Sequence, residues 1–107
     1  MVSNSHQGWS NYETWCVNLG LANEEQTYRR CQSLATEARE HAETCPQVRD
    51  NVWTFEEAPT FLLADALKEF VEDGNPLASQ SSMYSDLLTA ALSEVNWHEI
   101  AEAFLKK

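Results

Sequence analysis

Two short runs in this chain bring together the residue types that metal and acid–base chemistry need. His98-Glu99-Ile100-Ala101-Glu102 is one residue short of the HExxH pattern, in which two histidines one helical turn apart hold zinc and the glutamate activates water. Glu102 stands where the second histidine belongs and no upstream ligand pair is evident, so the run reads as a solvated helix face. His41 and Cys45 are also one turn apart, with Cys31 on the same helix and Cys16 the one further thiol. Neither a CxxC nor a paired-histidine spacing accompanies them, which makes burial of small side chains the better reading. A Cys–His nucleophile fails for a related reason. No glycine-shaped turn or oxyanion donor lies near any cysteine. There is also no GxGxxG, no GxxxxGK[ST] and no EF-hand loop. The expectation is a non-enzymatic protein with no metal and no cofactor.

The chemistry that remains is electrostatic. Among 107 residues, 17 are acidic and 7 basic, a formal net charge of -10. Between Cys31 and Leu105 only Arg39, Arg49 and Lys68 stand against fourteen carboxylates. Such a surface repels phosphates and anionic lipid, so direct binding to nucleic acid or to a membrane is not expected. The same carboxylates can instead imitate the spaced charges of a duplex and occupy the basic groove of a DNA-binding protein. The candidates are Glu56, Glu57, Asp65, Glu69, Glu72 and Asp73, with Glu99 and Glu102 nearer the C-terminus. Trp9 and Trp53 lie in predicted loops and are the aromatic contact candidates. Trp15 and Trp97 lie on apolar stripes and are expected in the core.

Helical spacing must position these groups. Ser10-Asn11-Tyr12-Glu13 has capping-box spacing, and Tyr12, Trp15, Cys16 and Leu19 follow at i, i+3, i+4 and i+7, predicting a helix over 11–22. Asn23-Glu24-Glu25-Gln26 repeats the capping signature and opens a second helix, which Pro46 ends. Its stripe is Tyr28, Cys31, Ala35, Ala38, Ala42 and Cys45, small side chains suited to a tight internal seam. After a loop over 47–54, a third helix runs from about Ala58, because Pro59 fits a first turn, to Asp73. There Asp73-Gly74-Asn75-Pro76 predicts a left-handed stop. A fourth helix carries Met83, Tyr84, Leu87, Leu88, Ala91 and Leu92 on its apolar side and ends near Ser93. Asn96-Trp97-His98-Glu99 caps a fifth, with Trp97, Ile100, Ala101 and Phe104 on its stripe. No segment alternates like a strand and no repeat of 20 to 50 residues is present. The expected fold is all-α, a compact single-domain bundle of four to five short helices over 10–107, preceded by a flexible segment over 1–9. Three cysteines fit reduced thiols. The polar start of the chain and the lack of an apolar stretch of about 20 residues add to the expectation of a cytoplasmic protein.

At Asn11-Tyr12-Glu13-Thr14-Trp15-Cys16-Val17-Asn18-Leu19, and again at Glu94-Val95-Asn96-Trp97-His98-Glu99-Ile100-Ala101, the sequence resembles a family of small uncharacterised proteins of bacteriophages, plasmids and their bacterial hosts. Gly20 departs from the bulkier residue usual there. The resemblance implies no catalytic residue or cofactor. It implies a mobile-element setting, in which small acidic proteins often inhibit nucleic-acid-binding host defences. The expected function is therefore an inhibitor presenting a carboxylate-rich, DNA-like surface to a basic protein such as a nuclease or DNA-binding defence protein. The alternative is a helical adaptor, possible as a homodimer through an apolar helix face or the Ala/Cys stripe of the second helix, with no mimicry.

Overall fold

The computed structural model describes residues 6–106. Among them the regular elements are all helical: α1 Tyr12–Asn23, α2 Glu25–Ala42, the single turn α3 Pro46–Arg49, α4 Ala58–Asp73, α5 Met83–Ser93 and α6 Trp97–Leu105. The all-α bundle expected from helical spacing is what forms. Its centre is α2, α4 and α6, with α1 laid against α2 and α6.

Small residues on α2 make that centre possible. Cys31, Ala35, Ala38 and Ala42 are buried, so α4 and α6 can approach closely enough to bury Leu63, Leu67, Ile100, Ala101 and Phe104. Cys45 is buried just beyond the helix end, which makes the small stripe an internal seam throughout.

Helix ends depart from expectation where backbone geometry overrules the capping pattern. Asn11, one residue after Ser10, caps α1; its Oδ1 accepts from the Thr14 amide at 2.8 Å. Asn23 is the last residue of α1, leaving Glu24 to begin α2 without a side-chain cap. The second helix stops at Ala42 and Pro46 opens α3. A proline suits a first helical position, and it holds the residue before it extended: Cys45 has φ -65° and ψ 129°. The loop expected over 47–54 thus begins with a helical turn, and Asn51 then takes a left-handed φ of 63°. Gly74 adopts φ -86°, not the left-handed stop the sequence suggested. That turn is set instead by Asn75, whose Oδ1 accepts from the Leu77 amide at 2.8 Å.

The chain ends are joined. Thr14 is fully buried; its hydroxyl donates to Asn11 Oδ1 at 2.6 Å and accepts from the Asn96 amide at 2.9 Å. Asn11 Nδ2 donates to the Glu94 carbonyl at 2.7 Å, while Ser10 donates through N and Oγ to Glu99 Oε1 at 3.1 and 2.7 Å. Just before this latch, His6 and Trp9 exchange backbone hydrogen bonds of 2.8 Å, closing a turn whose indole packs on the core.

Two helices turn much of their apolar stripes outward, although Leu92 of α5 packs on the core. In α1 the buried residues are Thr14 and Leu21, while Tyr12, Cys16 and Leu19 are exposed. The Thr14 latch holds the opposite face inward and so selects this rotation. Trp15 is half-buried against His6 at a ring distance of 4.5 Å, outside the core, whereas Trp97 does pack on it. In α5 only Ser85 is buried, and Met83, Tyr84 and Leu87 face solvent. That helix shares no extended packing seam with any other.

Candidate functional site

The carboxylates singled out from the sequence occupy separate groups on the surface. Asp65, Glu69, Glu72 and Asp73 are exposed along the outer side of α4, opposite Leu63 and Leu67. Glu69 and Asp73 share a cleft of about 240 Å³ with Arg30 of α2. Glu72 shares another, of about 340 Å³, with Lys68 and the α5 residues Ser85 and Thr89. Glu56 and Glu57 are exposed in the turn before α4, and Glu56 lies with Arg39 and Phe55 in a cleft of about 450 Å³. Glu99 and Glu102 line a fourth cleft, about 360 Å³, with Trp9 and Lys106. A cation therefore sits in each of the four clefts.

Several candidates already have structural work. Glu99 is half-buried and holds Ser10. Glu102 Oε1 lies 3.2 Å from His98 Nε2, an exposed pair one turn apart. Trp53 stacks on Phe61 with ring centroids 5.0 Å apart and planes at 19°, and Phe61 in turn meets the His98 ring at 5.3 Å. Trp9 packs on the core. Both tryptophans are half-buried and fastened to the bundle, so only part of each ring is free for a partner.

The nucleophile candidates are separated by burial. Cys31 has no exposed surface, and desolvation pushes its thiol up to about 11 against a smaller opposing pull from Arg30. A thiol so raised is inert at neutral pH. Cys45 is buried with its sulfur donating to Gln47 Oε1 at 2.8 Å, Cys16 is exposed, and all three are free thiols. His41 points outward from the helix that buries Cys31. Among the described residues no group of three or more His, Cys, Asp or Glu side chains is placed to hold a metal ion, and no helix is long and apolar enough to cross a membrane.

Sequence reasoning missed a groove of about 230 Å³ between α1 and α5, lined by Tyr12, Glu13, Cys16 and Val17 on one side and Leu88, Ala91 and Leu92 on the other, together with Val95. Spacing places Tyr12, Cys16, Leu88, Ala91 and Leu92 on the apolar stripes of their helices but does not show that the two stripes border one groove. The available signal was the scarcity of charge on both helices: Glu13 is the single charged residue of α1 and Asp86 that of α5.

A family model spans residues 2–102 and takes in both halves of the Asn11–Thr14–Asn96 latch. The chain belongs to DUF7249, a family of unknown function. No curated protein and no solved structure matches it. Residues 11–19 and 94–101 are, in this DUF7249 chain, the two halves of one structural junction: their capping asparagines and the buried threonine hold the two segments together.

Proposed function

We propose that the chain is a non-enzymatic binding protein, of mobile-element type, whose carboxylates engage a basic surface on a nucleic-acid-binding host protein in the cytoplasm. The observation that carries this reading is the exposed row on α4. Asp65, Glu69, Glu72 and Asp73 span eight residues of rise, about 12 Å, in three uneven intervals that average about 4 Å. One strand of B-DNA carries a charge about every 3.4 Å. Lys68 interrupts the row, and the ten-unit excess of negative charge over the chain offsets it. Carboxylates of this kind contribute to the rate of encounter and to partner choice more than to the lifetime of a complex.

The first experiment is to immobilise the protein, pass host lysate over it and identify by mass spectrometry what duplex DNA competes off at moderate salt. Release of a nuclease, repressor or defence protein supports mimicry. Recovery only of proteins indifferent to DNA rejects it in that host. With a partner in hand, the triple reversal Glu69→Lys, Glu72→Lys, Asp73→Lys is expected to slow association at least about tenfold at low salt and to flatten its salt dependence. Unchanged association removes α4 from the interface.

A further inference from the structure

We propose that the cleft between α2, the turn before α4 and the end of α6 receives an arginine side chain of the basic partner. This rests on the reading above that the partner is basic, and names the group by which it is held. Local hydrogen bonds fix the turn that presents the cleft. The Val52 and Trp53 amides both donate to the Gln47 carbonyl, at 2.7 and 3.1 Å, and the Trp53 ring is anchored on Phe61. Beyond it, the Glu57 amide donates to Thr54 Oγ1 and the Ala58 amide to the Thr54 carbonyl, each at 3.1 Å, which closes the turn onto α4. Phe55 is carried on this braced turn and stays 58% exposed, lining the cleft with Pro59 and Leu105. An aromatic side chain is thus held at the surface before any partner arrives, which lowers the ordering cost of binding.

Charge decides the occupant. Glu43 and Glu56 line the same cleft, and among the described residues neither carboxylate has an ion-pair or hydrogen-bond partner. The cation of the cleft is Arg39, whose guanidinium donates to the Leu105 carbonyl at 2.6 Å, at a helix end where carbonyls lack backbone donors. Arg39 therefore builds the wall, and two open carboxylates stand against one guanidinium already in use, on a chain of net charge -10. An anionic occupant is repelled, and an apolar one would strip water from two unpaired carboxylates. A lysine ammonium is compact and strongly hydrated. Arginine brings a weakly hydrated planar cation that can lie on the Phe55 ring, and enough donors to serve both carboxylates. Its methylene stem suits Pro59 and Leu105.

The test uses the full chain and a probe that needs no identified partner: the blocked peptide acetyl-Gly-Arg-Gly-amide, titrated at a fixed ionic strength of about 150 mM while backbone amide NMR shifts are followed. The expected result is saturable binding with a Kd of about 1–10 mM and shifts centred on Phe55, Thr60 and Leu105. The corresponding lysine peptide is expected to bind at least about threefold more weakly, and the neutral citrulline peptide at least about tenfold more weakly. Phe55→Ala, and Glu43→Gln combined with Glu56→Gln, all at exposed positions, are each expected to weaken the arginine peptide about threefold or more. The triple reversal at Glu69, Glu72 and Asp73 is expected to leave its affinity within about twofold, since Glu69 already lies about 15 Å along α4 from Pro59, beyond the screening length of about 8 Å. Shifts that do not saturate or that centre on the α4 carboxylates overturn the proposal. So does citrulline or lysine bound as tightly as arginine, or an affinity that neither set of substitutions moves. A cleft that ignores the peptide leaves the α4 row and the lysate experiment standing, and a lysate that yields only proteins indifferent to DNA leaves the peptide result standing, so either reading can fail alone.

Discussion

At the scale of the residue, Thr14 and Cys31 show how one buried group can decide more than its size suggests. The Thr14 hydroxyl both donates and accepts inside the bundle. Thr14→Val keeps the shape but leaves the Asn96 amide without its acceptor, and is expected to destabilise the fold by about 2–3 kcal/mol in urea unfolding. Thr14→Ser retains the bonds and loses only a methyl group, about 1 kcal/mol. A larger loss for Thr14→Ser than for Thr14→Val would mean that packing, and not the hydrogen bonds, holds the chain ends. Cys31 predicts a pH dependence. Its thiol titrates ordinarily at 9.0 and in the fold at about 11. Below 9.0 both states keep the proton and its contribution to stability is complete; between these values the unfolded chain releases the proton while the folded one retains it, so stability falls as pH rises. Denaturation of the wild type and Cys31→Ala at pH values on either side of that window isolates the effect, and an equal decline in both would assign it to other groups.

At the scale of the element, α1 was legible in position and illegible in rotation. Its start, length and cap follow from Asn11 and the spacing of Tyr12, Trp15, Cys16 and Leu19, yet that stripe faces solvent because the Thr14 junction, with partners more than 80 residues away, fixes the other side inward. Gly20 lies on this helix in open space: a Cβ there meets nothing within 4 Å. Gly20→Ala therefore adds no clash and lowers the entropy of the unfolded chain, and is expected to raise stability by about 0.5–1 kcal/mol, seen as a rise in Tm of a few degrees. A loss of stability would reveal a close neighbour that the outward rotation of α1 excludes.

At the scale of the whole molecule, the charge imbalance and its distribution belong to different levels of organisation. Cations share the clefts at Arg30, Arg39, Lys68 and Lys106, and the ion pairs Arg29–Glu25, Arg30–Glu37 and Arg49–Asp50 are all exposed. Exposed pairs contribute little each, whereas ten uncompensated carboxylates repel one another in the compact state. Raising NaCl from about 10 to about 150 mM, which shortens the screening length from about 30 to about 8 Å, is therefore expected to raise Tm. A fall would mean that the ion pairs outweigh the repulsion.

Local periodicity and composition were enough to determine the helical class, the approximate spans of the five longer helices, the small buried seam of α2 and the sign of the surface, because each depends on residues within a turn or two of one another or on a simple sum. The tertiary structure decided which way α1 and α5 face, that Glu99 is committed to Ser10 and Glu102 lies beside His98, and that residues 11–14 and 94–96 form one junction. Those outcomes depend on hydrogen bonds and packing between residues far apart in sequence, and an apolar stripe has the same spacing whether it meets a core, a second molecule or water.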